Sequence, residues 1–196
     1  MAREQIYEEL ARSLREGAEL RLRLIEISAG MIVEAAEAVY GCFEAGGKIL
    51  LFGNGGSAAD AQHIAAEFVC RFNRDRAALP AIALTTDTSA LTAIANDYGF
   101  ERIFARQVEA LCRPGDTVIA ISTSGRSANV IAGIEAARAR GARTIGLTGG
   151  DGGDMIGLVD IAVVIPSDVT ARIQECHITV GHLICEVVEA LLQSAE

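Results

Sequence analysis

The chain has 196 residues, 51% apolar, 22% charged and 5% aromatic, the size of one domain with a sizeable core and too apolar for disorder. Seventeen basic against 26 acidic side chains leave a net charge of −9, so no nucleic-acid partner is expected, because an electrostatic nucleic-acid binder shows a basic face. No apolar run approaches the roughly 18 residues of a membrane span, so no membrane partner is expected either. The start, MAREQIYEEL, lacks an apolar leader, and the five cysteines (Cys42, Cys70, Cys112, Cys176, Cys185) are widely spaced without a CxxC pair; both imply a reduced, cytoplasmic chain with buried thiols.

Residues 3–45 read as helix. Ile6, Leu10 and Leu14 recur every four residues and Leu20, Leu24 and Ile27 continue the stripe, with a break expected at Gly30 and a second helix running to Glu44. Ala45-Gly46-Gly47 supplies C-cap chemistry. The pattern then changes to short apolar runs at 48–52, 81–84, 117–121, 143–147 and 160–165, alternating with helical stretches at 58–70, 88–112, 127–140 and 154–157 and a last long helix at 170–194. Continuous apolar strands separated by helices predict a parallel sheet covered on both faces. The expected architecture is therefore α/β: a three-layer, flavodoxin- or Rossmann-like sandwich with five parallel strands. One domain spans 1–196, with a helical N-terminal extension (1–45), an α/β core (46–169) and a C-terminal helix (170–196). In such sheets ligands bind beyond the carboxyl ends of the strands.

The first such end carries Gly53-Asn54-Gly55-Gly56-Ser57 and opens a helix. Three glycines allow a tight turn and close approach of a ligand, and the helix start offers free N–H groups and the positive end of a dipole. That suits an anion, with Ser57 adding a hydroxyl; the plainer reading is a βα turn with Ser57 as N-cap. A P-loop would need a lysine after the last glycine, and none is there. Gly53, Gly55 and Ala58 match a dinucleotide fingerprint, but the nearest candidate for the ribose-binding acid, Asp87, comes 34 residues after Gly53, against about 20 in that motif.

His63 and Glu67 follow on the same helix. Their spacing of four puts both on one face. An isolated pair of this kind is usually a solvated surface; beside an anion loop it can share a metal ion or supply a base and its partner. The third run ends in Ser122-Thr123-Ser124-Gly125-Arg126-Ser127, four hydroxyls in six residues before another helix. It reads as a second anion cradle, suited to one phosphate monoester, or as a hydroxyl-capped turn. Arg126 either pairs the phosphate or faces water.

GNGGSAADAQHIAAE followed by STSGRS resembles the sugar-isomerase (SIS) domain family. Within it the chain is similar to the phosphoheptose isomerases over its whole length, including LTAIANDYGFERIFARQVEAL and TARIQECHITVGHLICEVVE. The resemblance implies conversion of D-sedoheptulose 7-phosphate to D-glycero-D-manno-heptose 7-phosphate, the first step toward ADP-heptose and lipopolysaccharide core precursors. It implies that Ser122, Thr123, Ser124 and Ser127 hold the phosphate and that Asn54, Gly55, Gly56 and Ser57 contact substrate. Asn96 and Asp97 match a pair that meets the sugar hydroxyls; without the resemblance they read as a helix-ending turn. Glu67 and His182 match the acid–base residues, and Glu67 and Gln174 also contact substrate. His63, Glu67, Gln174 and His182 match the ligands of one zinc per subunit. A homotetramer with interfacial active sites is implied as well.

A close relative in the family binds the bacterial replication initiator instead. It lacks the metal-site glutamate, so Glu67 and His182 favour the enzyme; a non-catalytic module and an isomerase of another sugar phosphate are the alternatives. His177 matches a position with no assigned role, and Asp168 and Glu175 read as surface charges. Ketose–aldose isomerisation passes through an enediol and needs a base over the C–H bond and an acid or metal on the oxygens. A carboxylate bound tightly to zinc is a poorer base, so the metal site and the base compete for Glu67. Gln174 and His182 lie eight residues apart on one expected helix, about 12 Å along its axis and some 80° apart around it. Either the segment near Gln174 is not regular helix or the site draws on two chains.

Overall fold

A computed structural model describes residues 3–194; the first two residues of the expected extension and the last two of the C-terminal segment lie outside them. The two helical patterns expected in 3–45 become α1 (Arg3–Ile27) and α2 (Ala29–Glu44), and the alternation that follows becomes β1 (Ile49–Gly53), α3 (Gly56–Val69), β2 (Ala81–Ala83), α4 (Thr88–Tyr98), α5 (Ala105–Leu111), β3 (Thr117–Ser122), α6 (Ala128–Ala139), β4 (Arg143–Gly149), β5 (Ile161–Ile165) and α7 (Thr170–Ser194). Short 3-10 turns at Phe100–Arg102 and Gly153–Gly157 complete the list. The five strands form one sheet, all parallel, in the order β2-β1-β3-β4-β5. The order reverses between β1 and β3, which makes the crevice above those two strands the topological switch point.

Strand residues alternate between two cores. Ile49 and Leu51 of β1, with Ile119 and Ile121 of β3, face α2, α3 and α7. Leu50 and Phe52, with Val118 and Ala120, face α5 and α6. Both faces are covered, so β1 and β3 are buried at every position. Phe52 stacks on Phe104 with centroids 5.0 Å apart, a pairing worth about 0.5–1.5 kcal/mol beyond its buried area.

Most boundaries fall within two residues of the sequence-based expectation, and three differences change how the helices begin or break. The first break falls at Ser28 rather than Gly30: Ile32 N–H already bonds to the Ser28 carbonyl, so Gly30 sits inside α2. The stretch 88–112 is not one helix. Gly99, at φ 88°, ends α4, and the chain re-enters helix only at Ala105. The helix after β1 starts two residues early, at Gly56. In α1 only Gly17, Leu20 and Leu24 are buried; Ile6, Leu10 and Leu14 stay more than 45% exposed within this chain.

Candidate active site

The two anion-type loops stand side by side above β1 and β3. Gly55 precedes α3 at φ 57° and lets the chain turn into the helix. A Cβ on Gly53 would lie 2.6 Å from the Ile121 carbonyl, so only glycine lets β1 and β3 end this close together. Asn54 and Asn129 tie the loops: each amide donates to the other's oxygen at 2.8 Å. Asn129 is 3% exposed. The sequence reading did not single it out, because one asparagine early in a helix carries no pattern of its own.

Ser57 is not the N-cap. It lies in the first turn of α3, 3% exposed, and Gly55 takes the cap position. In the second loop the Ser122 and Ser127 hydroxyls are 3.1 Å apart, so Ser127, at the N-cap of α6, turns its side chain toward Ser122 and leaves the helix amides uncapped by it. Ser124 accepts from the Arg126 N–H. Arg126 itself pairs with Asp151 at 2.7 Å, the contact that holds the Asp151 carboxyl down to about 2. Thr123, Ser124, Arg126, Asp151, Asp168 and Thr170 are among the residues lining a cavity of about 360 Å³ between this loop and the start of α7. Asp168 is exposed, while Glu175, read as a surface charge, is half-buried and bonded to Arg172 at 2.8 Å.

Two to three turns along α3 stands a separate cluster. His63 Nε2 is 3.2 Å from Glu67 Oε1 and 3.0 Å from His182 Nε2 on α7. Ligand-capable atoms of the three residues all lie within 4.8 Å of one another, close enough to hold a metal ion. Phe72 stacks on the His182 ring at 5.4 Å. One turn back, Asp60 is half-buried with Oδ2 unpartnered among the described residues; burial pushes its carboxyl up and the charge of His63 opposes the shift. Its spacing of three from His63 was the available signal.

Gln174 does not join this cluster within the chain. The first turn and all that follows from Thr170 is regular helix, so the eight-residue gap to His182 stands at about 12 Å. The Gln174 amide lies instead against Gly56, where any Cβ would collide with it. Non-helical backbone near Gln174 is thereby excluded. Asn96 and Asp97 sit in the last turn of α4, before its end; both are exposed, and the Asn96 amide donates to Asp97 at 2.7 Å. Asp87 accepts from the Ala90 N–H as the N-cap of α4, so the only acid offered for a nucleotide ribose is engaged elsewhere. His177 is fully buried; its Nε2 contacts the Thr148 carbonyl at 3.1 Å and burial drives its pKa down to about 4.

A family model described as SIS domain matches residues 14–149. The chain is 64% identical over 174 residues to a phosphoheptose isomerase of Roseiflexus sp. (strain RS-1), covering 89% of this chain and 88% of the relative. It is 56% identical over 185 residues to a phosphoheptose isomerase of Aquifex aeolicus, covering 94% and 97%. The chain belongs to the phosphoheptose isomerase family. The solved phosphoheptose isomerase of Neisseria gonorrhoeae superposes with a TM-score of 0.89 at 46% identity, over 94% of this chain and 99% of that one. That of Francisella tularensis gives 0.91 at 36%, over 94% and 98%. The SIS match takes in both loops, His63 and Glu67; with phosphoheptose isomerases as relatives at this identity, the chain is an aldose–ketose isomerase, and no helix among its described residues is long and apolar enough to cross a membrane.

Proposed function

We propose that this chain, a single SIS domain, interconverts D-sedoheptulose 7-phosphate and D-glycero-D-manno-heptose 7-phosphate in the cytoplasm, at the entry to ADP-heptose and lipopolysaccharide core precursors. The observation that carries the reading is the convergence of Glu67, His63 and His182 from two helices. A carboxylate flanked by imidazoles can take a proton from C1 of the ketose and deliver it to C2, while a proton passes from the C1 hydroxyl to the C2 oxygen; the bonds made and broken balance through an enediol. Glu67 and His182 share these transfers. Ser122, Thr123, Ser124 and Ser127 hold the phosphate, Asn54, Gly55, Gly56 and Ser57 the adjoining sugar, and Asn96 and Asp97 its hydroxyls.

Two imidazole Nε2 atoms 3.0 Å apart beside a carboxylate are a donor set that suits zinc. His63, Glu67 and His182 would hold one ion per subunit, and a zinc ion bound there would supply Lewis-acid polarisation of the sugar carbonyl. Gln174 fits as a further ligand only from a neighbouring chain, since in its own chain it stands beside Gly56. The same displacement puts the loops and Gln174 at one end of α3 and the acid–base cluster about 10 Å along it. A homotetramer whose sites combine the loops of one chain with the cluster of another resolves this, and the exposed stripe of Ile6, Leu10 and Leu14 on α1 offers it an apolar contact face. The presence of Glu67 in the cluster disfavours a non-catalytic partner-binding module. Incubation with sedoheptulose 7-phosphate, followed by NMR for an aldoheptose phosphate, tests the reading; no aldose signal from zinc-loaded protein rejects it.

A further inference from the structure

The segment 70–80 between α3 and β2 carries no regular structure, yet it is tied down at both of its sides by one buried ion pair. Glu189 of α7 has a side chain only 2% exposed. Its Oε1 accepts from the Phe72 N–H and from Arg76 Nε, both at 3.0 Å, and its Oε2 accepts from the Asn73 and Arg74 N–H groups at 3.0 and 3.1 Å. Four donors therefore converge on one carboxylate, which is how a buried charge is retained without a large desolvation cost.

Arg76 uses its remaining nitrogens on the end of α3. Nη2 donates to the Glu67 carbonyl at 2.8 Å and Nη1 to the Phe68 carbonyl at 2.9 Å. A helix leaves its last four carbonyls without intrahelical partners and frays there unless something accepts the role. Glu67 falls in that last turn. The guanidinium thus caps the turn that carries the acid–base carboxylate, and its partner Glu189 sits seven residues, two turns, beyond His182 on α7. The same network presents Phe72, whose ring stacks on His182 at 5.4 Å.

We propose that Arg76 and Glu189 are positioning residues: a bridge between α3 and α7 that sets Glu67 against His182 and holds Phe72 over the His182 ring. The inference rests on the acid–base reading of that pair. It predicts that breaking the bridge lowers turnover while leaving the phosphate loops, which lie at the other end of α3, intact.

The test compares full-length wild type with Glu189→Gln, Arg76→Lys and Phe72→Leu. Turnover of sedoheptulose 7-phosphate falls about 10–100-fold in the first two, the usual effect of removing a group that orients a ligand or catalyst, and about two- to tenfold in Phe72→Leu, the worth of one ring contact. KM stays within about twofold, since the loops proposed to hold the phosphate, which anchors the ground state, lie at the other end of α3. A second reading needs neither substrate nor metal: the His182 ring-proton NMR resonance of the metal-stripped, folded protein loses its Phe72 ring-current shift in Glu189→Gln and Arg76→Lys, with Phe72→Leu, which lacks the ring, marking the position of full loss. Should Glu189→Gln fail to fold, Arg76→Lys decides the matter. Unchanged turnover and an unchanged His182 resonance in folded variants overturn the proposal. If wild type itself does not isomerise the sugar, the functional reading fails, and the His182 resonance alone then confirms or rejects the bridge.

Discussion

Subunit complementation gives the sharpest test of how the active site is assembled. Gln174 and His182 lie about 12 Å apart along regular α7 and some 80° apart around it, and Gln174 is occupied beside Gly56 of its own chain. If one site takes Glu67 and His182 from one subunit and Gln174 with the Ser124 loop from another, two differently damaged chains can rebuild it. One chain carries Glu67→Gln; the other carries Gln174→Ala with Ser124→Ala. Each alone is inactive. Unfolded together at equal amounts and refolded, subunits combine at random, and a site is intact only when both halves come from the undamaged side. That is a chance of one half for each, so about one quarter of wild-type specific activity returns in a closed symmetric assembly. The assay is the initial rate of aldoheptose phosphate formation against the mixing ratio, which should peak at equal amounts. As a control, Glu67→Gln mixed with His182→Ala gives nothing, because those residues share one cluster in one chain. No recovery in the first mixture, with both chains shown to co-assemble, refutes the two-chain site; a monomer by light scattering refutes it more simply.

Glu67→Gln alone removes the carboxylate but keeps its shape, and turnover falls by about 10²–10⁴; calorimetric titration with inorganic phosphate should show affinity within about twofold of wild type, since the loops are untouched. Purified protein is expected to carry up to one zinc per chain by elemental analysis, and stripping it with a chelator should abolish turnover that zinc alone restores; full activity in the stripped protein removes the metal from the chemistry. His177 has a folded pKa near 4, below its unfolded value of about 6.5. The unfolded chain therefore binds a proton that the native state does not, and stability is lost as pH falls from about 6.5 toward 4. Between pH 7 and pH 5 this one group costs about 2 kcal/mol, and urea midpoints should show that His177→Gln lacks that loss.

Strands were legible because β1 and β3 are buried on both faces, which leaves a continuous apolar run inside each, with polar residues only at the ends of β3 (Thr117 and Ser122). Helices were legible by period, but their interruptions were not: the stretch 88–112 keeps its apolar spacing through Gly99, and only the positive φ there turns the chain. The loops announced themselves through glycine and hydroxyl density, and His63 with Glu67 through their spacing. What stayed hidden was pairing at long range. Nothing in the sequence joins Asn54 to Asn129, and Glu189 on a helix looks like any solvated charge until it is found 2% exposed beneath a loop that lies 113 residues earlier. The N-cap alternative for Ser57 fails for a local reason: a serine before a helix looks like a cap, and here the glycine two residues before it took that role.

The reciprocal amide pair between Asn54 and Asn129 also constrains how this enzyme can change. Each side chain gives one hydrogen bond and receives one from the other, so altering either alone leaves a donor or an acceptor of its partner unmet in a nearly dry position. Asn54→Asp, for example, still accepts from Asn129 but no longer donates to it. Substitutions in the two loops are therefore not independent choices: a variant library that randomises the glycine-rich loop while holding α6 constant will discard combinations that succeed only when both positions move together. Altering the sugar range of this scaffold is a two-loop problem from the first round.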